Sequence, residues 1–166
     1  MNSKRYVNRR KLLDDLNSLC EFLNNAYDVN SGGCCFLASI IAKHLDKLGI
    51  KYKLVIYDLY NKDKESIKYE VTNRRRNKTK TGSVVGVYTC DHYCLYLEGV
   101  GIMNRSGSFY SYSISNISHK NIYWIYKNGS WNKRYEVQHN ETIKNIVKAF
   151  FKEYEKVLYN KNMCLS

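Results

Sequence analysis

GGCCFLASIIAKHLDKLGIKYKLVIYD, residues 32–58, is the stretch on which the fold turns. From Cys34 the apolar residues Leu37, Ala38, Ile41, Leu45 and Leu48 recur in steps of three and four, the period of one face of a helix. Gly49 follows the last of them and predicts the helix stop, because glycine takes the left-handed conformation that ends helices. The period then changes. Residues 52–59 run or alternate apolar through Leu54, Val55, Ile56 and Tyr57, as a core strand does.

Working outward, residues 11–27 place Leu12, Leu16, Leu19, Cys20, Leu23, Ala26 and Tyr27 on a second helical stripe. Residues 28–33 are polar and contain glycine, hence a loop. Downstream, strands are expected over 67–71, 84–89, 92–97, 101–104, 109–114 and 122–126. The pair 92–97 and 101–104 reads as a hairpin around Glu98-Gly99-Val100. A last helix is expected over 141–158, burying Ile143, Ile146, Val147, Phe150, Tyr154, Val157 and Leu158. Helices kept apart from a run of strands imply an α+β domain. The expected architecture is one domain over residues 1–166. It has an antiparallel sheet of about five to seven strands, packed on an N-terminal helix pair that includes the cysteine-bearing helix, with a C-terminal helix.

Composition narrows the class of molecule. With 44% hydrophobic and 25% charged residues the chain has the balance of a globular protein, not of a disordered one. No apolar run approaches the roughly 18 residues needed to span a bilayer, so no membrane association is expected. The six cysteines form no small-toxin framework and no secretory leader is evident, which favours reduced thiols in a cytoplasmic setting. Cys90 and Cys94 have half the spacing of a zinc site, but no second Cys/His pair matches them, and no metal or cofactor is expected. The net charge of +12 favours polyanions. Arg74, Arg75, Arg76, Lys78 and Lys80 concentrate it in a loop without apolar residues, a surface for non-specific attraction to nucleic acid. The absence of proline and the wealth of Asn, Lys and Ile are compatible with a phage or mobile-element source, in which case the setting is a virion or a host cytoplasm.

The chemistry concentrates at the start of the cysteine helix. A helix N-terminus stabilises a thiolate through its unpaired N–H groups and its dipole, and Gly32 and Gly33 leave the approach open. Cys34 lies on the apolar stripe and is the preferred nucleophile. Cys35, rotated by about 100 degrees, is the alternative. Of four histidines only His92 begins an expected core strand, the rigid mounting that a general base needs. Asn104, across the hairpin, can orient its ring.

These residues resemble the papain-like and transglutaminase-like cysteine enzymes. Gly32, Cys34, Ala38, Ala42, Leu48, Gly49 and Ile50 match the spacing of the catalytic helix and the turn after it. HYCLYLEGVGIMN, residues 92–104, is similar to the strand pair that carries the family's His and Asp or Asn. The likeness covers roughly residues 30–106. It implies thiol-dependent acyl transfer or hydrolysis of an amide or ester bond in a protein or peptide substrate. Cys34 would be nucleophile, His92 general base and acid, and Asn104 the group orienting His92. The competing expectation is a catalytically silent basic module, structural or nucleic-acid-binding.

Overall fold

The computed structural model describes residues 8–58, 92–105, 111–128 and 133–163. Helix α1 (Arg9–Tyr27) begins where the Asn8 side chain accepts the Lys11 N–H at 3.1 Å, and it buries Leu12, Leu13, Leu16, Cys20 and Leu23. Helix α2 (Cys34–Leu48) ends at Gly49, whose φ of 69° is the left-handed stop that the sequence predicts. Strand β1 (Tyr52–Asp58) follows at once. The hairpin of β2 (His92–Leu97) and β3 (Gly101–Met103) and the strand β4 (Ser111–Ser115) complete an antiparallel sheet in the order β3-β2-β1-β4. Helices α3 (His119–Asn128) and α4 (Lys133–Met163) close the chain.

The fold is thus α+β, with antiparallel pairing throughout and helices before and after the strands. The described residues hold four strands rather than five to seven. Two expected strands, 67–71 and 84–89, lie outside the described residues, as does the basic loop with Arg74, Arg75, Arg76, Lys78 and Lys80. The expectation of a strand over 122–126 is wrong. Ile122, Ile125 and Tyr126 are buried, the i, i+3, i+4 spacing of a helix, whereas a strand would have buried alternate residues. Ser118 stands just before that helix and its hydroxyl accepts from the Asn121 N–H at 3.4 Å.

Helix α3 changes the position of α2. Every residue from Cys34 to Ala42 is buried, as is Leu45, so the helix has no solvent face over more than two turns. Its mostly apolar sequence permits this burial on all sides. The sheet face carrying Leu54, Ile56, Tyr93, Leu95 and Leu97 covers one flank, and α3 and α4 cover others. The Phe36 ring packs on Tyr126 at 5.2 Å between centroids. On the other face of the sheet, Val55, Tyr57 and Cys94 form a second, smaller cluster.

The last helix starts at Lys133, eight residues before the expected position. Of its expected stripe Ile143 and Val147 are buried, Ile146, Phe150 and Tyr154 pack against the core, and the side chains of Val157 and Leu158 lie outside the described residues. Phe151 is buried, while Phe150 is only half-buried. The Phe151 ring lies flat on His44 of α2, with centroids 4.7 Å apart and planes 5° apart. Among the described residues no helix is long and apolar enough to cross a membrane. Phe151→Ala is expected to lower the unfolding free energy by about 3–5 kcal/mol. Phe150→Ala should cost clearly less. Urea denaturation of the two variants compares them, and equal losses would contradict this assignment of the α2–α4 contact.

Candidate functional site

Gly32 and Gly33 set the start of α2. Gly32 has φ of 109°, a conformation that side chains rarely adopt, so glycine is required there. Gly33 is the N-cap: its carbonyl accepts the Leu37 N–H at 2.9 Å, and its N–H donates to Val29 at 2.8 Å. Glycine brings no side-chain acceptor to the first turn. The two cysteines that follow diverge. Cys35 points toward α3, where its thiol donates to the Ile122 carbonyl at 3.5 Å. Cys34 meets the sheet, and its Sγ accepts the N–H of Tyr93 at 3.5 Å.

That contact arises because β3 is short. Along β2 the main-chain groups face alternate neighbours. Glu98 donates to Lys51, beside β1, whereas Leu97 accepts from Val100 on the hairpin side. By the same alternation Tyr93 faces the hairpin side. The ladder between β2 and β3 ends at Leu95 and Met103. The Cys34 sulfur therefore takes the Tyr93 N–H where a longer β3 would have paired.

Asn104 is the reason that the ladder ends. Its φ of 59° lies in the left-handed region, which asparagine tolerates better than most residues. The bend brings its carbonyl oxygen 2.6 Å from Nε2 of His92. A carbonyl only accepts, so Nε2 carries the hydrogen, and in the neutral ring Nδ1 carries the lone pair. Asn104 thus meets the His92 ring through its main chain and not through its side chain. Its side chain instead donates to Asn30 Oδ1 at 3.2 Å, and its N–H donates to Asn17 Oδ1 at 2.8 Å. Asn30 is itself held by its N–H on Asn24 Oδ1 at 3.0 Å. None of Asn17, Asn24 and Asn30 stands out in the sequence, where asparagine is common.

Cys34 and His92 are brought to the same end of the hairpin, on neighbouring residues of β2. The Tyr93 nitrogen is one peptide bond from the His92 carbonyl carbon, so the His92 Cα lies within about 6 Å of the sulfur. The two side chains do not leave the strand on the same side. Tyr93 belongs to the helix-covered core, whereas His92 alternates to the other face, with its ring 6.3 Å from that of Tyr57. Exposure is 5% for Cys34 and 4% for His92. Burial lowers the pKa of His92, and the bond to Asn104 offsets that only in part, so the resting ring favours the neutral form.

Among the described residues, Cys20, Cys94 and His119 play other parts. Burial pushes Cys20 up to about 12 and raises Cys94 further, which suits packing rather than reactivity. His119 donates from Nδ1 to Asp46 Oδ2 at 2.6 Å, and the Tyr52 hydroxyl donates to the same oxygen at 3.1 Å. This group borders an open cleft of about 420 Å³ that also touches Ile50, Glu98 and Ile117. Tyr52 pairs with Leu97, five residues along β1 from the Tyr57–His92 pair, so the cleft is about 17 Å from the thiol end. Among the described residues no group of three His, Cys, Asp or Glu side chains is placed to hold a metal ion.

The chain was compared with protein-family models, with characterised proteins and with solved structures. None of the three gives a match.

Two histidines, the buried His92 and the half-buried His44, make acid destabilising. Burial lowers both His92 and His44, the latter with help from Lys47 and Lys43. The unfolded chain then binds protons that the folded one refuses. Their contribution is full above the unfolded value of about 6.5 and is lost as pH falls through the lower folded values. Wild-type protein should lose stability to urea between roughly pH 7.5 and pH 5. His92→Gln keeps an N–H donor for Asn104 but does not titrate, and should lose less over that range. An identical loss in both proteins would remove His92 from the account.

Proposed function

We propose that the chain is a cysteine enzyme of the papain-like or transglutaminase-like kind, acting on an amide or ester bond of a protein or peptide. The observation that carries the reading is the Tyr93 N–H on the Cys34 sulfur, beside a histidine whose tautomer is fixed by Asn104. Cys35 is engaged with α3, which favours Cys34 as the nucleophile. His92 serves as base through Nδ1, the atom that its bond to Asn104 leaves with a lone pair.

Cys34 and His92 lie on opposite faces of the sheet, so this scheme requires the His92 ring to turn toward the edge where Cys34 meets Tyr93. The Cys34 proton then passes to His92 Nδ1 as the sulfur attacks the carbonyl carbon. The carbonyl π pair moves onto oxygen, which the first-turn N–H groups of α2 can receive. When that pair returns, the bond to the leaving amine or alkoxide breaks and His92 gives the proton to the departing atom. Water, or an amine in a transfer reaction, then attacks the thioester carbonyl. His92 takes the proton of the attacking group and returns it to the sulfur as the C–S bond breaks. The Tyr93 N–H remains a donor to the sulfur when its proton has left, and such a bond strengthens on ionisation.

The near-complete burial of both Cys34 and His92, together with the placement of their side chains on opposite faces of the sheet, favours a second reading, a silent module without turnover. Its net charge of +12 would then act on a polyanion, with Arg74, Arg75, Arg76, Lys78 and Lys80 as the contributing loop.

Labelling separates the two. Among the four described cysteines, iodoacetamide on native protein should modify Cys34 alone, and Cys34→Ser should abolish that modification. His92→Gln should slow it by about a hundredfold, the low end of general-base effects. Labelling that begins only on unfolding, together with salt-dependent retention on DNA unchanged by Cys34→Ser, would establish the silent module instead.

A further inference from the structure

We infer that Asn17 of α1 is a positioning residue for His92, holding through one side-chain oxygen the backbone bend at Asn104 on which the imidazole tautomer depends. The consequence for reactivity rests on the thiol reading above; the geometry does not.

Asn17 is a polar residue beside the buried side of α1, next to Leu16 and three residues before Cys20. Its Oδ1 reaches across to β3 and accepts the Asn104 N–H at 2.8 Å, linking positions 87 residues apart. Next to the last ladder pair, Leu95 with Met103, strand alternation points that N–H away from β2, so its acceptor must come from outside the ladder. A buried N–H left without a partner is costly enough to favour a different local backbone. The alternative is plain from the register. Were Asn104 extended, β3 would continue and Arg105 would come opposite Tyr93. The Tyr93 N–H would then have a main-chain acceptor in competition with Cys34, and the Asn104 carbonyl would leave His92.

A single bend therefore supports two contacts of the site: Cys34 on Tyr93 and His92 on Asn104. Asn30 braces the same bend from the other side through the Asn104 side chain at 3.2 Å. Asn17 touches neither the sulfur nor the ring in this scheme; it acts through Asn104 alone.

Two readouts test this on the full-length protein. By nitrogen-detected NMR the wild-type His92 ring should show a protected Nε2–H, the signature of one locked tautomer. Asn17→Leu removes the acceptor at similar volume. It should expose that proton to exchange and slow iodoacetamide labelling of Cys34 by about tenfold, the worth of one buried hydrogen bond. Asn17→Asp restores an acceptor oxygen and should recover both signals. If Asn17→Leu fails to fold, Asn17→Ala is judged by the same two signals. A folded acceptor-less variant with an unchanged Nε2–H and an unchanged labelling rate overturns the inference. If wild-type Cys34 does not react, the thiol reading fails alone, and the ring proton in the variants still decides the role of Asn17.

Discussion

The burial of α2 on all sides is the constraint from which the rest follows. A helix that is apolar over Cys34–Ala42 except for Ser39, whose hydroxyl is bonded within the helix to Phe36, cannot be left with a wet face, so the sheet, α3 and α4 must each cover part of it. That requirement fixes which strand residues point inward. Leu54 and Ile56 on β1, and Tyr93, Leu95 and Leu97 on β2, face the helices because a one-residue slip would turn all of them to the other side. It also fixes where the helix begins relative to the sheet. With its body held by packing, the first turn falls at the end of the β2–β3 hairpin, and the sulfur of Cys34 is delivered to Tyr93.

The polar part of the site is made by a different principle. Three asparagines from three places, Asn17 on α1, Asn30 in the loop and Asn104 after β3, join through hydrogen bonds of 2.8 and 3.2 Å. Asparagine suits such a junction because it donates and accepts on one short side chain, and it tolerates a left-handed backbone. The junction fastens α1 and the loop before α2 to the end of β3 and so to β2, the strand that bears His92. The helix start and the imidazole are thereby positioned by the same few contacts.

Much of this was legible in the residues. The two N-terminal helices, the Gly49 stop and the hairpin around Glu98-Gly99-Val100 all follow from period and turn chemistry. The proximity of Cys34 and Asn104 to the start of β2 was legible as well, because strand register and helix phase are local properties. What failed was the segment from Ile122 to Tyr126. Its Ile, Tyr and Trp are strand-favouring residues, and so short a run fits both periods. The hydroxyl of Ser118 was the overlooked cue, since it caps the helix that follows. The start of α4 was obscured by polar residues such as Gln138, His139 and Asn140, which carry no apolar period. Which way Cys34 and Cys35 face needed coordinates, because it depends on α3, the element that was misread.

The left-handed turn at position 104 has a consequence for how this site would diverge. The ring of His92 is fastened to a main-chain oxygen, and every amino acid owns one. Selection on the imidazole would then act on the shape of the chain at that point, not on the identity of the residue. A glycine or an aspartate at the same corner could offer His92 the same atom. Descendants of this protein would be traced better by the kink after β3 than by any letter written there.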